Sequence, residues 1–226
     1  MRAVYDKEVA AVYESWYETA EGQRADALEK AALEKLLEGF PSAESVLEVG
    51  CGTGHFTRWL CNAGWTAMGL DLSAPMLRQA QALNAVPLVQ GDAYRLPFGD
   101  GAFDVTALVT TLEFLDRPRA ALSEAARVGR YGIVLGVLNR CSILGLRRRV
   151  SGLFRDTIYD SARFYSLGAL QELLRIVGQE AAGVVWRTPL YPPWWQRLLP
   201  RRAVHLPWGG FIAIALYDAS ELETQR

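Results

Sequence analysis

The chain has 226 residues, of which half are hydrophobic and 22% are charged, and its formal net charge is −1. This length supports one α/β domain with a substantial core, and the balanced charge excludes a field that would recruit nucleic acid. No stretch resembles a secretory signal or reaches the roughly 18 apolar residues of a membrane span. Three cysteines without metal-binding spacing, Cys51, Cys61 and Cys141, indicate a reduced, cytoplasmic protein without a metal site.

The first 40 residues are predicted to form a helical cap. Apolar residues at helical spacing indicate two amphipathic helices between Val4 and Leu37, with a break near Gly22. The segment Gly39–Pro41 ends the second helix, because glycine and proline both disfavour its continuation.

From residue 45 onward, short apolar runs alternate with helical patterns. Helices are predicted over about Thr53–Ala63, after the capping residue Ser73, and over Pro118–Val128 and Ser166–Val177. Apolar strands separated by helices indicate a parallel sheet that is covered on both faces. The predicted strands are Ser45–Val49, Thr66–Leu70, Val86–Val89, Phe103–Val109, Ile133–Leu138, Ala182–Trp186 and Gly210–Tyr217.

A turn with three glycines at alternate positions follows the first strand, in the segment VLEVGCGTGHF (46–56). Glycine permits positive φ and lets a ligand approach the backbone, and this end of the strand is where open α/β sheets bind ligands. The second strand ends in Asp71, which can accept hydrogen bonds from ribose hydroxyls, and the third leads into Asp92. A purely structural turn and a helix-capping aspartate remain the alternatives.

The turn differs from that of dinucleotide-binding enzymes. Its spacing is Gly-x-Gly-x-Gly, and it contains no lysine or arginine that could hold a phosphate. Glu48 precedes it, and a carboxylate suits a cationic amino acid moiety better than a pyrophosphate.

Five segments carry a resemblance to the class I S-adenosylmethionine (SAM)-dependent methyltransferases, in particular the group that includes ubiquinone and menaquinone C-methyltransferases. These segments are VLEVGCGTGHF (46–56), GLDLS (69–73), QGDAYRLPF (90–98), GAFDVTALVTTLEFLDRP (101–118) and AALSEAARV (120–128). The resemblance implies a single Rossmann-like α/β domain over residues 1–226. It also implies a mostly parallel seven-stranded sheet with helices on both faces, whose last strand is antiparallel.

The same resemblance implies SAM as the cofactor and suggests how each motif holds it. The glycine turn would frame the methionine portion, Glu48 would lie near the amino group, and Asp71 would hold the ribose. Leu72, Asp92 and Ala93 would contact the adenine, and Thr110 would lie near the sulfonium. The expected cofactor-binding residues are Glu48, Gly50, Cys51, Gly52, Gly54, Asp71, Leu72, Asp92, Ala93 and Thr110. One stretch, Val128–Gly132, departs from the family pattern before the fifth strand.

The predicted reaction is in-line transfer of the methyl group to a small acceptor, which yields S-adenosylhomocysteine. Such a displacement needs positioning more than acid–base catalysis, so we expect no indispensable catalytic side chain. The candidates for a base are His55, Glu113 and His205. The alternatives are the rim of the cofactor pocket or solvent for His55, a solvated carboxylate at the start of a helix for Glu113, and a structural or exposed role for His205. Glu113 as a candidate is expected to line the acceptor pocket.

The acceptor is expected between the N-terminal helices and two insertions, residues 140–165 and 187–208. Aromatic residues there indicate an apolar pocket, with core packing as the alternative: Tyr13, Trp16, Tyr17, Phe154, Tyr159, Phe164, Tyr165, Trp186, Tyr191, Trp194, Trp195 and Trp208. Two arginine clusters, Arg147–Arg149 and Arg197 with Arg201 and Arg202, indicate an anionic acceptor, peripheral membrane contact or a solvated basic face. The oligomeric state stays open.

Three other functions compete with methyl transfer. The chain could be a non-catalytic SAM-binding partner or regulatory subunit, although its cofactor motifs are largely intact. It could use SAM for a different transfer on the same fold, or it could be a nicotinamide dehydrogenase, against which the missing phosphate-binding turn argues.

Overall fold

The computed structural model of the chain describes residues 5, 7–83, 86–142, 162–177, 183–189 and 207–217. Its centre is a seven-stranded sheet with the strand order β3-β2-β1-β4-β5-β7-β6. The strands are β1 (Ser45–Val49), β2 (Thr66–Asp71), β3 (Leu88–Gln90), β4 (Phe103–Val109), β5 (Gly129–Leu138), β6 (Gly183–Arg187) and β7 (Phe211–Tyr217). The helices are α1 (Lys7–Tyr13), α2 (Ser15–Glu18), α3 (Ala20–Leu37), α4 (His55–Asn62), α5 (Ala74–Leu83), α6 (Pro118–Val128) and α7 (Leu167–Val177), with a 3₁₀ turn at Leu112–Phe114.

The strand directions confirm the predicted sheet. β1 pairs in parallel with β2 and β4, and the parallel ladder continues to β3 on one side and β5 on the other. β7 pairs antiparallel with both β5 and β6, so it is the one strand of this sheet that runs in the opposite direction. The order reverses between β1 and β4, which is where an open α/β sheet forms a crevice at the carboxyl ends of its strands.

Alternate residues of the central strands divide between two hydrophobic cores, one on each face of the sheet. In β7, for example, Ile212 and Ile214 face the core that α6 and α7 cover, whereas Phe211 and Ala213 face the core that α3 and α4 cover. This alternation follows from the two-residue period of a strand, and burial on both sides explains the near-continuous apolar runs. Within the described ranges, no helix is both long and apolar enough to cross a membrane.

The helical cap differs from its prediction. Three helices are present, and the break does not fall at Gly22, which lies buried inside α3. The chain bends instead at Thr19, whose backbone is extended. The Thr19 hydroxyl caps α3 by accepting a hydrogen bond from the Gly22 nitrogen at 3.0 Å. A Cβ at Gly22 would lie 2.0 Å from the Trp16 carbonyl oxygen, so this glycine permits a close approach and does not end a helix.

Two strands, β3 and β5, begin two or more residues away from their predicted starts. β3 starts at Leu88 because Pro87 has no N–H to donate to the ladder, although its carbonyl accepts from the Gly69 nitrogen. β5 starts at Gly129, so the stretch that departs from the family pattern is part of a strand. A register shift against β4 accommodates it, and a Cβ at Gly132 would lie 2.0 Å from the Leu216 carbonyl oxygen.

We expect Phe211→Ala to lower the free energy of unfolding by about 3–5 kcal/mol, because it empties a fully buried position. The Phe211 ring packs over Gly136, where an added Cβ would lie 2.5 Å from it. Equilibrium urea unfolding measures the loss. Val185→Ala on β6, where 43% of the side chain is exposed, is the control and should cost under about 1 kcal/mol. Equal losses in the two variants would contradict this packing.

Candidate cofactor-binding site

A cleft with an empty volume of about 940 Å³, counted out to its open mouth, lies at the carboxyl ends of β1, β2 and β4. Its position matches the crevice that the reversal of strand order predicts. The residues that line it are Tyr5, Tyr13, Tyr17, Glu48, Gly50, Cys51, Gly52, His55, Phe56, Leu70, Asp71, Leu72, Ser73, Met76, Gly91, Ala93, Val109, Thr110, Thr111, Phe114 and Leu115.

The glycine turn forms the floor of this cleft. Gly50, Gly52 and Gly54 all have positive φ, at 78°, 55° and 76°, which explains why three glycines are present. The space above Gly50 is filled by Thr111, whose methyl group would lie 2.2 Å from an added Cβ. The Thr111 hydroxyl donates to the Gly50 carbonyl at 3.1 Å, so the turn after β1 and the end of β4 are joined at one point.

Asp71 joins the turn to the end of β2. One carboxylate oxygen accepts from the Gly52 nitrogen at 2.8 Å and the other from the Ser73 nitrogen at 2.7 Å. Burial outweighs these bonds and raises the pKa of Asp71 above its ordinary value. Each carboxylate oxygen has a second lone pair, so the side chain can still accept hydrogen bonds from two hydroxyl groups of a ligand.

Glu48 places a second carboxyl group in the cleft, on the buried strand β1. Its side chain accepts a hydrogen bond from the Thr57 hydroxyl. Burial raises the pKa of Glu48 to about 7, so the group ionises near neutral pH. A cation bound beside it would favour the ionised form. The neighbouring Cys51 is buried as well, and burial raises the pKa of its thiol well above the usual value, so the thiol is neutral.

Thr110 has a left-handed backbone, with φ of 49°, at the end of β4. Such a conformation is costly for a β-branched residue and is concentrated at functional sites. Its nitrogen donates to the Gly136 carbonyl at 2.7 Å, and this bond to β5 helps to hold the residue in place at the wall of the cleft.

His55, the first residue of α4, faces the cleft but has both ring nitrogens directed at carboxylates. Nε2 lies 2.7 Å from an Asp26 oxygen, and Nδ1 lies 3.7 Å from a Glu14 oxygen. The Lys30 ammonium, 3.0 Å from Nε2, cannot accept a proton and donates to the same Asp26 carboxylate. His55 in this arrangement has no nitrogen available to take a proton from an acceptor.

Glu113 lies neither in the acceptor pocket nor in solvent, the two positions considered from the sequence. It is 1% exposed, so it is not a solvated carboxylate, and it does not line the cleft. One of its oxygens accepts from the Leu138 nitrogen at 2.6 Å, and burial raises its pKa to about 7. It therefore ties the 3₁₀ turn to the end of β5 from inside the core. The third candidate, His205, lies outside the described residues.

The remaining expected contacts fall into two groups. Leu72 and Ala93 line the cleft. Gly54 and Asp92 are not part of the lining. Gly54 is the residue before α4, and the exposed Asp92 accepts a hydrogen bond from the Tyr94 nitrogen at 2.9 Å. Ser73 caps α5 as predicted, by accepting from the Met76 nitrogen at 3.3 Å. Cofactor contacts by these residues stay predictions.

The structure places the aromatic residues expected around the acceptor in different surroundings. Tyr13 and Tyr17 line the cleft, whereas Tyr165 belongs to the core and donates its hydroxyl to the Leu112 carbonyl. Trp208 is 48% exposed. The aromatic residues at 154, 159, 191, 194 and 195 and both arginine clusters lie outside the described residues.

Sequence reasoning missed three lining rings, Tyr5, Phe56 and Phe114, and the partners of His55. Tyr5 and Phe114 meet edge to face in the cleft, with ring centroids 5.3 Å apart. Glu14 and Asp26 lie within the segment predicted only as amphipathic helices, and nothing local to them marks a contact with a histidine tens of residues away. The aromatic character of Tyr5 was the one available signal.

The lining of the cleft fits a cationic ligand that carries no phosphate. Two acidic side chains, Glu48 and Asp71, open into it, and among the described residues no lysine or arginine lines it. SAM has a sulfonium and an ammonium group together with ribose hydroxyls, so these carboxylates match its charge and its polar groups. The same part of the chain contains no group of three or more acidic, histidine or cysteine side chains that could hold a metal ion.

Comparisons with known proteins agree with this chemistry. A family model described as a methyltransferase domain matches residues 47–135. Demethylmenaquinone methyltransferase of Mycolicibacterium gilvum is 32% identical over 182 residues, which are 76% of this chain and 75% of the relative. Malonyl-[acyl-carrier protein] O-methyltransferase of Pectobacterium atrosepticum is 37% identical over 111 residues, 48% of this chain and 44% of the relative.

A solved structure from Thermotoga maritima, described as a SAM-dependent methyltransferase and possible histamine N-methyltransferase, has a similar fold. Its TM-score is 0.75 at 26% identity, and the match covers 93% of this chain and 96% of that one. Fold and cleft thus define a SAM-dependent enzyme that transfers methyl groups. The chain belongs to the class I SAM-dependent methyltransferases, in the group that includes the demethylmenaquinone methyltransferases.

We expect Gly50→Ala to destabilise the fold more than Gly64→Ala. Both glycines have positive φ, so alanine costs about 1–2 kcal/mol of backbone strain at either position. Only at Gly50 does the new Cβ also overlap Thr111, because nothing lies within 4 Å at Gly64. Urea unfolding of the two variants isolates the overlap. Equal losses would show that Thr111 moves aside freely and that the turn and β4 are not joined as described.

Proposed function

We propose that this cleft binds SAM and that the enzyme moves its methyl group to a small acceptor by in-line displacement. The observation that carries the proposal is the pair of carboxyl groups, Glu48 and Asp71, in a cleft whose described lining contains no lysine or arginine. When bound, SAM supplies an electrophilic methyl group, and S-adenosylhomocysteine remains after the transfer.

The residues of the cleft would divide the work of binding. Asp71 would hold the ribose, since each of its oxygens retains an acceptor site beyond its backbone bond. Glu48 would ionise and pair with the amino group. Leu72 and Ala93 would pack against the adenine, and the glycine turn would admit the methionine portion close to the backbone. The backbone of Thr110 would mark the reacting end of the cleft.

Positioning and exclusion of water would supply most of the rate enhancement. His55 is engaged by two carboxylates and Glu113 does not line the cleft, so neither described candidate is placed to take a proton from an acceptor. We propose that no side chain is an indispensable base. A large loss of turnover with unchanged cofactor affinity in Glu113→Gln or His205→Ala would contradict this.

The acceptor itself would be small and either apolar or anionic. Three tyrosine rings and Phe114 give the cleft an apolar wall, which supports the apolar alternative. The arginine clusters outside the described residues are the sequence feature that supports an anionic acceptor or peripheral membrane contact of a cytoplasmic enzyme. Failure of the protein to sediment with anionic vesicles at low salt would remove the membrane contact.

We expect S-adenosylhomocysteine to raise the unfolding temperature of the protein and Asp71→Ala to abolish the increase. Ligand at 100 times its dissociation constant adds about 2.7 kcal/mol, which is roughly 5–10 °C for a chain of this length. Each shift is measured against the same variant without ligand, so a destabilised Asp71→Ala remains informative. Asp116→Ala, at an exposed position that does not itself line the cleft, should keep the full shift. No shift in the wild type, or an equal shift in both variants, would contradict the proposal.

A further inference from the structure

The N-terminal helices contribute part of the cleft wall. Tyr5, Tyr13 and Tyr17 all line it, and Tyr5 packs against Tyr13 with ring centroids 6.0 Å apart. We call the segment that carries these rings the N-terminal lid. It consists of Tyr5, α1, α2 and residues 20–30 of α3. A ligand in the cleft would lie between this lid and the ends of the strands.

Polar contacts hold much of the lid to the body of the protein, alongside the edge-to-face contact of Tyr5 with Phe114 and two buried lid residues, Ala10 and Ala25. In the described part of the chain, the first side chain that belongs to either hydrophobic core is Ala32, which follows the lid. The last turns of α3 are therefore anchored in the core by Leu33 and Leu36, whereas the lid is not. Segments with few buried apolar contacts open at lower free energy than the core does.

His55 is at the centre of these contacts. As the first residue of α4, it meets the lid carboxylates of Asp26 and Glu14. Its imidazole also stacks on the ring of Tyr17, with the ring centroids 3.7 Å apart and the ring planes at 12° to each other. Further polar contacts between the body and the lid occur among the described residues. Arg58 donates to Glu14 at 3.0 Å, the Thr53 hydroxyl also donates to Glu14, and the Ser73 hydroxyl donates to the Tyr5 carbonyl at 2.8 Å.

We propose that the N-terminal lid opens and closes over the cofactor cleft and that His55, when protonated, is the positioning residue that fastens it. The inference rests on the proposed function only in that the cleft binds the cofactor. His55 acts through Tyr17 and the two lid carboxylates, and it makes no contact with the reacting atoms.

The charges around His55 set the sign of the pH dependence. Burial and the Lys30 ammonium lower the pKa of His55, but its bonds to Asp26 and Glu14 raise it above the ordinary value overall. A group whose pKa is raised on closure stabilises the closed state below the pKa of the open state. That stabilisation is lost as the pH rises through the raised pKa. The lid therefore loosens on the alkaline side.

The other ionisable groups in contact with His55 or coupled to it by charge are Glu14, Tyr17, Asp26, Lys30 and Glu48, and Arg58 pairs with Glu14. Burial raises the pKa of Tyr17, so its ring stays neutral. Burial opposes ionisation of Glu14, but contacts to His55, Thr53 and Arg58 lower its pKa to about 2, so it stays charged across the useful range. Glu48, with its pKa raised to about 7, favours binding of an ammonium group as the pH rises. This trend is opposite to that of His55, so the two can be told apart.

The test measures the dissociation rate of S-adenosylhomocysteine by stopped flow between pH 6 and pH 9, and hydrogen exchange of lid peptides without ligand. In the wild type we expect faster release as the pH rises. His55→Gln should release the ligand fast at pH 6 and show no alkaline rise, because only the opposite trend from Glu48 remains. Asp26→Asn should move the alkaline rise to lower pH. Closure changes by at most about tenfold per unit of pKa shift, so the effects should be several-fold.

Glu38→Gln is the matched control, because Glu38 forms an exposed ion pair with Lys35 just after α3 and away from the cleft. It should behave as the wild type does, and titration of the ligand's own amino group would appear equally in all variants. At pH 6, lid peptides of His55→Gln should exchange faster than those of the wild type, and at pH 9 the two should agree.

An alkaline rise that persists in His55→Gln, or equal lid exchange at pH 6 in His55→Gln and the wild type, would overturn the proposal. Absence of binding at every pH would instead contradict the proposed function, and the exchange experiment would still decide whether His55 fastens the lid.

Discussion

The left-handed backbone of the glycine turn is the constraint on which the site depends. Because Gly50 has no Cβ, Thr111 fits against it, and the ends of β1 and β4 meet there. Because Gly52 turns its nitrogen toward the next strand, Asp71 is held at the end of β2. One turn thus brings three strand ends together, and the cleft with its two carboxyl groups lies where they meet.

Charge and burial then decide what this cleft can bind. Burial raises the pKa values of Glu48 and Asp71, so a cation bound in the cleft would stabilise the ionised form of both groups. Phosphate-bearing cofactors carry anionic groups, which proteins bind with basic side chains or with the N-termini of helices. The methyltransferase relatives and the residues of the cleft therefore lead to the same cofactor by independent routes.

Local patterns predicted the sheet well, because burial on two faces leaves a run of apolar residues in the sequence. β1 and β4 begin and end at the predicted residues, and the antiparallel β7 is one residue shorter than expected. The errors arise where a distant partner decides the outcome. Gly22 looked like a helix break, but its role is to let the Trp16 carbonyl approach. Glu113 was expected in the acceptor pocket or in solvent, but its bond from the Leu138 nitrogen and its burial place it in the core. The partners of His55, 29 and 41 residues away in sequence, had no signal at all.

The central claim is that the carboxylates at the ends of β1 and β2 hold SAM, and a crystal structure with S-adenosylhomocysteine tests it most directly. The account predicts the ribose hydroxyls within hydrogen-bonding distance of the Asp71 carboxylate, and the amino group beside Glu48 and the glycine turn. It also predicts that Tyr5, Tyr13 and Tyr17 cover the ligand. A ligand bound elsewhere, or bound in the cleft without contact to Asp71, would contradict the account.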